Sequence, residues 1–176
     1  MSPQDFYRTQ SAMSDPGSHA ALFDALPDDL DALCQAVRNV YVHYMSDELD
    51  VPPERKAEID TRRCDRILDR IVALDPRPLS EPRPAERRFI GCCRDASLLL
   101  CAMLRHKGVP ARLRAGFMTY FHFDDDPNFR PDHVVVERFE AGRWLLVDAE
   151  QGSPTVTDGG VSFSATDIPR DRFLVG

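Results

Sequence analysis

Apolar residues recur along this chain in two rhythms, and the change from one to the other divides it. Between residues 28 and 44, Leu30, Leu33, Cys34, Val37, Val40, Tyr41 and Tyr44 fall at helical spacing and make one stripe. Pro27 ahead of them suits a helix entrance, and Val51-Pro52-Pro53 ends the region. Cys64, Ile67, Leu68, Ile71 and Leu74 mark a second amphipathic helix, with arginines and aspartates on its other face. Both helices read as core-packing scaffold. Residues 75–88 contain Pro76, Pro78, Pro82 and Pro84, so they hold neither a helix nor a central strand and read as a linking loop. Residues 1–20 are polar, with a turn signal at Asp15-Pro16-Gly17-Ser18, and predict an irregular arm or a short helix.

Ala96, Leu99, Leu100, Met103 and Leu104 predict a third helix that begins near Cys93. It stops at Lys107-Gly108-Val109-Pro110, which supplies a cation for the last turn, a glycine for a left-handed cap and then a proline. Beyond it the period shortens to two. Leu113, Ala115 and Phe117 alternate with Arg112 and Arg114, which predicts a strand over residues 111–121. Residues 122–131 are acidic and turn-rich. Residues 134–139 and 144–147 predict two strands joined by a tight turn at Ala141-Gly142, and a short strand is expected around residues 161–163. With a two-residue turn, Glu140 faces Arg143 and Val135 faces Asp148. His133 shares the Val135 face, so His133 and Asp148 become diagonal neighbours on one side of the hairpin. A three-residue loop without a bulge would separate them.

The chain has 176 residues, enough for one domain around one main core. Its net charge of −7 argues against nucleic acid and anionic membrane as main partners, since both need a cationic surface. The stretch Met1-Ser2-Pro3-Gln4-Asp5 lacks the cationic and apolar parts of a secretory signal. No apolar run approaches a membrane span. Five cysteines, an odd number, are expected to be reduced thiols in a cytoplasmic protein.

Cys93 is the candidate nucleophile, because it sits where a loop enters a helix. Unpaired N–H groups and the helix dipole favour an anion there. The ordinary fate of a free cysteine is that of a small buried hydrophobe, and Cys34, Cys64 and Cys101, within apolar stripes, are assigned to it. Cys92 lies one residue earlier, on the loop side, and spacing alone leaves both cysteines open. A thiol nucleophile needs a base, and the base an orienting acceptor; His133 and Asp148 fill those places. His19, His43 and His106 read as surface or locally bonded residues on an arm and two helices. His122 borders the acidic loop.

The run Gly91-Cys92-Cys93-Arg94-Asp95-Ala96-Ser97 resembles the nucleophile motif of the transglutaminase-like superfamily. So do the helix exit Gly108-Val109-Pro110-Ala111-Arg112, the strand Asp132-His133-Val134-Val135-Val136-Glu137 and the strand Arg143-Trp144-Leu145-Leu146-Val147-Asp148, in that order. The likeness runs over residues 89–150 and picks Cys93 over Cys92, because Gly91 precedes it by two. Val135 and Ala96 stand where the superfamily often has aromatic residues, which weakens any analogy of substrate. The ending Ile168-Pro169-Arg170-Asp171-Arg172-Phe173-Leu174-Val175-Gly176 is abrupt beside bacterial relatives, and the resemblance leaves open whether the chain is trimmed there.

The resemblance implies a papain-like α+β fold over residues 1–176, with residues 1–75 as a helical part and 89–150 carrying the motifs. It implies a Cys93, His133, Asp148 triad that attacks an amide or ester through a thioester, with the Cys93 N–H as an oxyanion donor. The expected partners are a peptide or small acyl substrate and, beside water, an amine acceptor; no cofactor is expected. Two rivals from other classes stand beside this reading. One is a catalytically silent scaffold that binds peptides in its cleft. The other is a metal site drawing on Cys92, Cys93, His133 or His122 and the run Asp124-Asp125-Asp126. Adjacent cysteines lack the spaced pair of a zinc site, so no metal is expected.

Overall fold

The computed structural model describes residues 2–120, 129–151, 155–158 and 161–175. His122, Asp124-Asp125-Asp126 and Gly159-Gly160 lie outside them.

The amino-terminal third is helical. Helix α1 (Pro3–Arg8) is capped by Ser2, whose side chain accepts from the Asp5 N–H. A short α2 (Ala21–Asp24) precedes α3 (Leu30–Val40), which starts where the Asp29 carboxylate accepts from the Ala32 N–H at 2.9 Å. The spacing predicted that this helix runs on through Tyr41 and Tyr44, and here the structure differs. Residues Tyr41–His43 form strand β1, paired in parallel with β2 (Phe89–Gly91). Tyr41 stays buried, so its apolar position is right and its backbone is not helical. A 3₁₀ segment (Pro53–Asp60) leads to α4 (Cys64–Leu74), which buries Cys64, Ile67, Leu68 and Ile71 as their spacing predicts. The proline-rich stretch is irregular apart from a 3₁₀ turn at Ala85–Arg87.

Helix α5 (Cys93–His106) is central, with residues 95–104 all buried. A helix covered on every side belongs to the middle of a core. It ends as its sequence directs, with Gly108 at φ 76°. Against it lies an antiparallel sheet in the order β5-β4-β3-β8, built from β3 (Ala111–Met118), β4 (Asp132–Glu140), β5 (Arg143–Val147) and β8 (Phe173–Val175). Val136 and Val147 belong to the core cluster that contains α5, α3 and α4. Val135, Leu146, Met118 and Phe173 belong to a second cluster with Val156, Phe163 and Ile168. Period-two strands with apolar residues at both parities therefore have packing on both faces. Val156 and Phe163 come from the hairpin of β6 (Thr155–Asp158) and β7 (Val161–Ser164).

The β4–β5 hairpin has the predicted register: Glu140 pairs with Arg143 and Val136 with Val147. Both turn residues have positive φ, Ala141 at 49° and Gly142 at 83°, the mark of a two-residue type I′ turn. The β3–β8 contact needs Gly116, because a Cβ there would run into the Leu174 carbonyl and the Phe173 ring. Helices below an antiparallel sheet make this an α+β protein.

Candidate active site

Pairing between β4 and β5 stops at Val136 and Val147, and the Asp148 N–H turns away to the Ala165 carbonyl at 2.8 Å. One edge of β4 before Val136 thereby opens toward α5, while the other stays paired with β3. The Ser97 hydroxyl donates to the Val134 carbonyl at 2.7 Å, and the Val134 backbone favours the Cys93 thiolate. Helix start and strand start meet at His133, so a break in strand pairing creates the place for the site.

His133 and Asp148 meet as the hairpin parity predicts. Histidine Nε2 lies 2.9 Å from Asp148 Oδ2, with both side chains buried. The Tyr120 hydroxyl donates to the same oxygen at 2.9 Å, and the Glu150 N–H donates to Oδ1 at 3.0 Å. Burial alone would favour the neutral acid, but His133 and these donors hold the Asp148 carboxyl below the usual range. Burial likewise disfavours a charged imidazole, and Asp148 outweighs it, so the His133 pKa is raised. An ionised Asp148 requires hydrogen on Nε2, which makes Nδ1 the basic nitrogen of the neutral ring. Nδ1 lies 3.8 Å from Glu150 Oε2.

Cys93 is the first residue of α5, where its N–H lies outside the helical ladder. Cys92 is the N-cap, and Asp95 closes a capping box by accepting from the Cys92 N–H at 2.9 Å. Gly91 must be glycine, because a Cβ would sit 2.8 Å from both Asp95 Oδ2 and the Phe89 ring. The Cys92 thiol donates to Asp95 Oδ2 at 3.5 Å. The neighbouring Cys92, burial and Glu150 push the Cys93 thiol up. All three act on Cys93 against the helix dipole. Cys34, Cys64 and Cys101 are buried as expected, and burial lifts their thiols, Cys34 to about 12 and Cys101 to about 11.

Cys92, Cys93, His133 and Glu150 open onto a cleft of about 870 Å³. Its other lining includes Arg38, Tyr41, His43, Tyr44, Met45 and Phe129. His43 was expected on a helix surface; it instead ends β1 inside this cleft and stacks on Tyr44 at 4.9 Å. His19 and His106 do bond locally, to Asp69 and Asp24. Tyr44, Met45 and Phe129 form an exposed apolar rim.

Sequence reading missed Glu150, Tyr41, Tyr120 and Asp95. Glu150 stands two residues past Asp148 in the turn that follows β5, and its carboxylate accepts from the Tyr41 hydroxyl at 2.5 Å. Asp95 was detectable, as the acidic residue three positions after an N-cap. Among the described residues, His133, Asp148 and Glu150 hold their ligand atoms within 4.8 Å of one another. Both Asp148 oxygens are occupied by hydrogen-bond donors, so the trio reads as a hydrogen-bonded group.

The sequence profile of the transglutaminase-like superfamily matches residues 52–149, more than half of the chain. This chain belongs to the transglutaminase-like superfamily. A candidate cysteine protease from Cytophaga hutchinsonii has a similar structure, with a TM-score of 0.54 and 16% identity. The similarity takes in 99% of this superfamily member and 46% of that protein, so the chain spans about half the neighbour's length. At this identity the likeness speaks for the fold. Comparison with curated proteins finds no match. Membership of the superfamily supports cysteine-based catalysis in general. Among the described residues, no helix of this superfamily member is long and apolar enough to cross a membrane.

Proposed function

We propose that the protein is a cysteine-dependent acyltransferase or hydrolase, with Cys93 as nucleophile, His133 as base and Asp148 as the group that orients the base. The observation that carries this reading is the buried His133–Asp148 pair, 2.9 Å apart, in the cleft that Cys93 lines. A histidine whose Nε2 is held by a carboxylate presents Nδ1 as the proton acceptor. The Cys93 S–H gives its proton to that nitrogen, and the sulfur adds to an amide or ester carbonyl. Collapse of the tetrahedral species expels the amine or alcohol, which takes the proton back, and leaves a thioester. Water or a primary amine then attacks the thioester, and the thiol is regenerated. The Cys93 N–H at the helix start is a suitable donor to the oxyanion. No cofactor enters this sequence. The unit that acts is taken to be residues 1–176 as one domain, because α3 and α4 share a core cluster with α5.

The apolar rim of Tyr44, Met45 and Phe129 suits a donor with an apolar group next to its carbonyl. Incubation with a panel of activated esters and glutamine peptides is expected to give an adduct visible by intact mass. Cys93→Ser abolishes it, Cys92→Ser leaves it, and His133→Ala slows it by about 10²-fold or more. Added primary amine is expected to divert product from acid to amide. An adduct that survives in Cys93→Ser and vanishes in Cys92→Ser moves the nucleophile by one residue. Absence of any adduct across the panel favours a peptide-binding scaffold instead.

A further inference from the structure

Glu150 is a half-buried carboxylate that the triad does not use, yet it lies beside His133 and Asp148 and shares their cleft with Cys93. Its Oε2 is 3.8 Å from His133 Nδ1, the nitrogen that Asp148 leaves to act as base. Its own N–H bonds Asp148, and its Oε1 is held by the Tyr41 hydroxyl at 2.5 Å. The anchor matters, because a carboxylate fixed at one oxygen keeps the other aimed at the imidazole. The Arg38 guanidinium reaches the Ala149 carbonyl at 3.1 Å and so steadies the same turn.

We infer that Glu150 is a positioning residue of the reacting group, whose charge faces the Nδ1–H of the His133 imidazolium and so competes with the Cys93 sulfur for that proton. The inference rests on the base role proposed for His133. A proton on Nδ1 has two anionic partners within the cleft, the thiolate and Glu150. Ionised Glu150 stabilises the imidazolium and opposes the thiolate, so it raises the pKa of both. Its own carboxyl is pushed up to about 7 by burial and then by Asp148. The other groups facing it are Tyr41 and His43 from β1, Arg38 from α3, Cys92 at the N-cap of α5, and Cys93 and Asp95 from its first turn. Asp132 and His133 from β4, Asp148 after β5 and Tyr120 after β3 complete the set. Arg38 and His43 line the open cleft, where solvent screens part of their charge. Glu150 stands on the Nδ1 side of the ring as Asp148 stands on the Nε2 side, so the two carboxylates bracket the imidazole.

The consequence is a rate profile set by one more charge than a triad has. Iodoacetamide labelling of Cys93, followed by peptide mapping across pH 5–10, reads the thiolate without any substrate. In Glu150→Gln the rising limb is expected to move to lower pH by roughly one unit, the scale of one charge removed at this distance. With an ester that acylates the enzyme, the falling limb, which reports the imidazolium, should move the same way. Glu150→Asp keeps the charge and should keep both limbs nearer the wild-type positions. A merely structural Glu150 would change the melting temperature and leave the limbs in place, and that result overturns the inference. If His133→Ala alters the labelling profile while Glu150→Gln does not, the base role stands and the Glu150 role falls. If Cys93 labels no faster than the buried thiols in any variant, both fall together.

Discussion

At the scale of single residues, the site is a set of buried ionisable groups whose charges are settled by neighbours, and stability should register that. Asp148 is held below its ordinary range, so its contribution is present above the unfolded carboxyl value and lost as pH falls through the folded one. His133 is raised, so its contribution is present below the unfolded imidazole value and lost as pH rises through the folded one. Glu150 runs against the usual carboxylate. Its folded value of about 7 exceeds the reference of 4.5, so the fold loses stability as pH climbs from one to the other. Glu150→Gln is therefore expected to unfold at higher urea concentration than wild type at pH 8, by up to about 3 kcal/mol. The gain should vanish near pH 4, and a gain equal at both pH values would contradict the burial of an ionised group. Glu150 escaped sequence reading because an acidic residue after a strand looks like any solvated turn. What distinguishes it is Tyr41, which arrives from a distant part of the chain.

At the scale of elements, local signals were legible where the element needed nothing from afar. Helix α5 announced its start with a loop cysteine and its end with Lys107-Gly108, and it begins and ends there. The hairpin register followed from Ala141-Gly142 alone. Strand β1 was not legible, because Tyr41 and Tyr44 continue the spacing of α3, and only the partner Phe89–Gly91 turns them into a strand. Strand β8 failed to show for the same reason, since three residues carry no period and their pairing with Gly116–Met118 is long-range. The turn also offers a stability test. Ala141 occupies a left-handed conformation that costs a side chain roughly 1–2 kcal/mol and that asparagine tolerates better. Ala141→Asn is expected to raise stability by about 0.5–1 kcal/mol in urea titration, with activity unchanged. A loss of stability would mean that the turn is not type I′ in solution.

At the scale of the whole molecule, both ends of the chain are fastened to the sheet that carries the site. Arg112 on β3 lies 4.2 Å from the Trp144 ring and 5.1 Å from the Tyr7 ring, which ties α1 to the hairpin. Glu137 on β4 is buried among Arg112, Arg114 and Arg170, and Arg170 brings in the segment that leads to β8. Phe173 is buried at the start of β8, with its ring centroid 6.5 Å from that of His133. Phe173→Ala is expected to cost about 3–5 kcal/mol in denaturant titration. It should also slow acylation, because the imidazole loses a wall. If acylation stays at the wild-type rate in the folded variant, His133 is positioned by Asp148 without help from the tail.

The tight turn between β4 and β5 has a consequence for the order in which the site assembles. His133 and Asp148 flank one short hairpin, so their meeting needs only a local loop closure, an event of roughly 1–10 μs. Cys93 must be brought in on a helix from outside that hairpin, a slower search across a longer span of chain. The base and its orienting carboxylate are therefore expected to find each other first, in a hairpin still waiting for its nucleophile. A nascent chain would hold a primed imidazole before it holds a thiol beside it, and would be chemically silent until α5 docks.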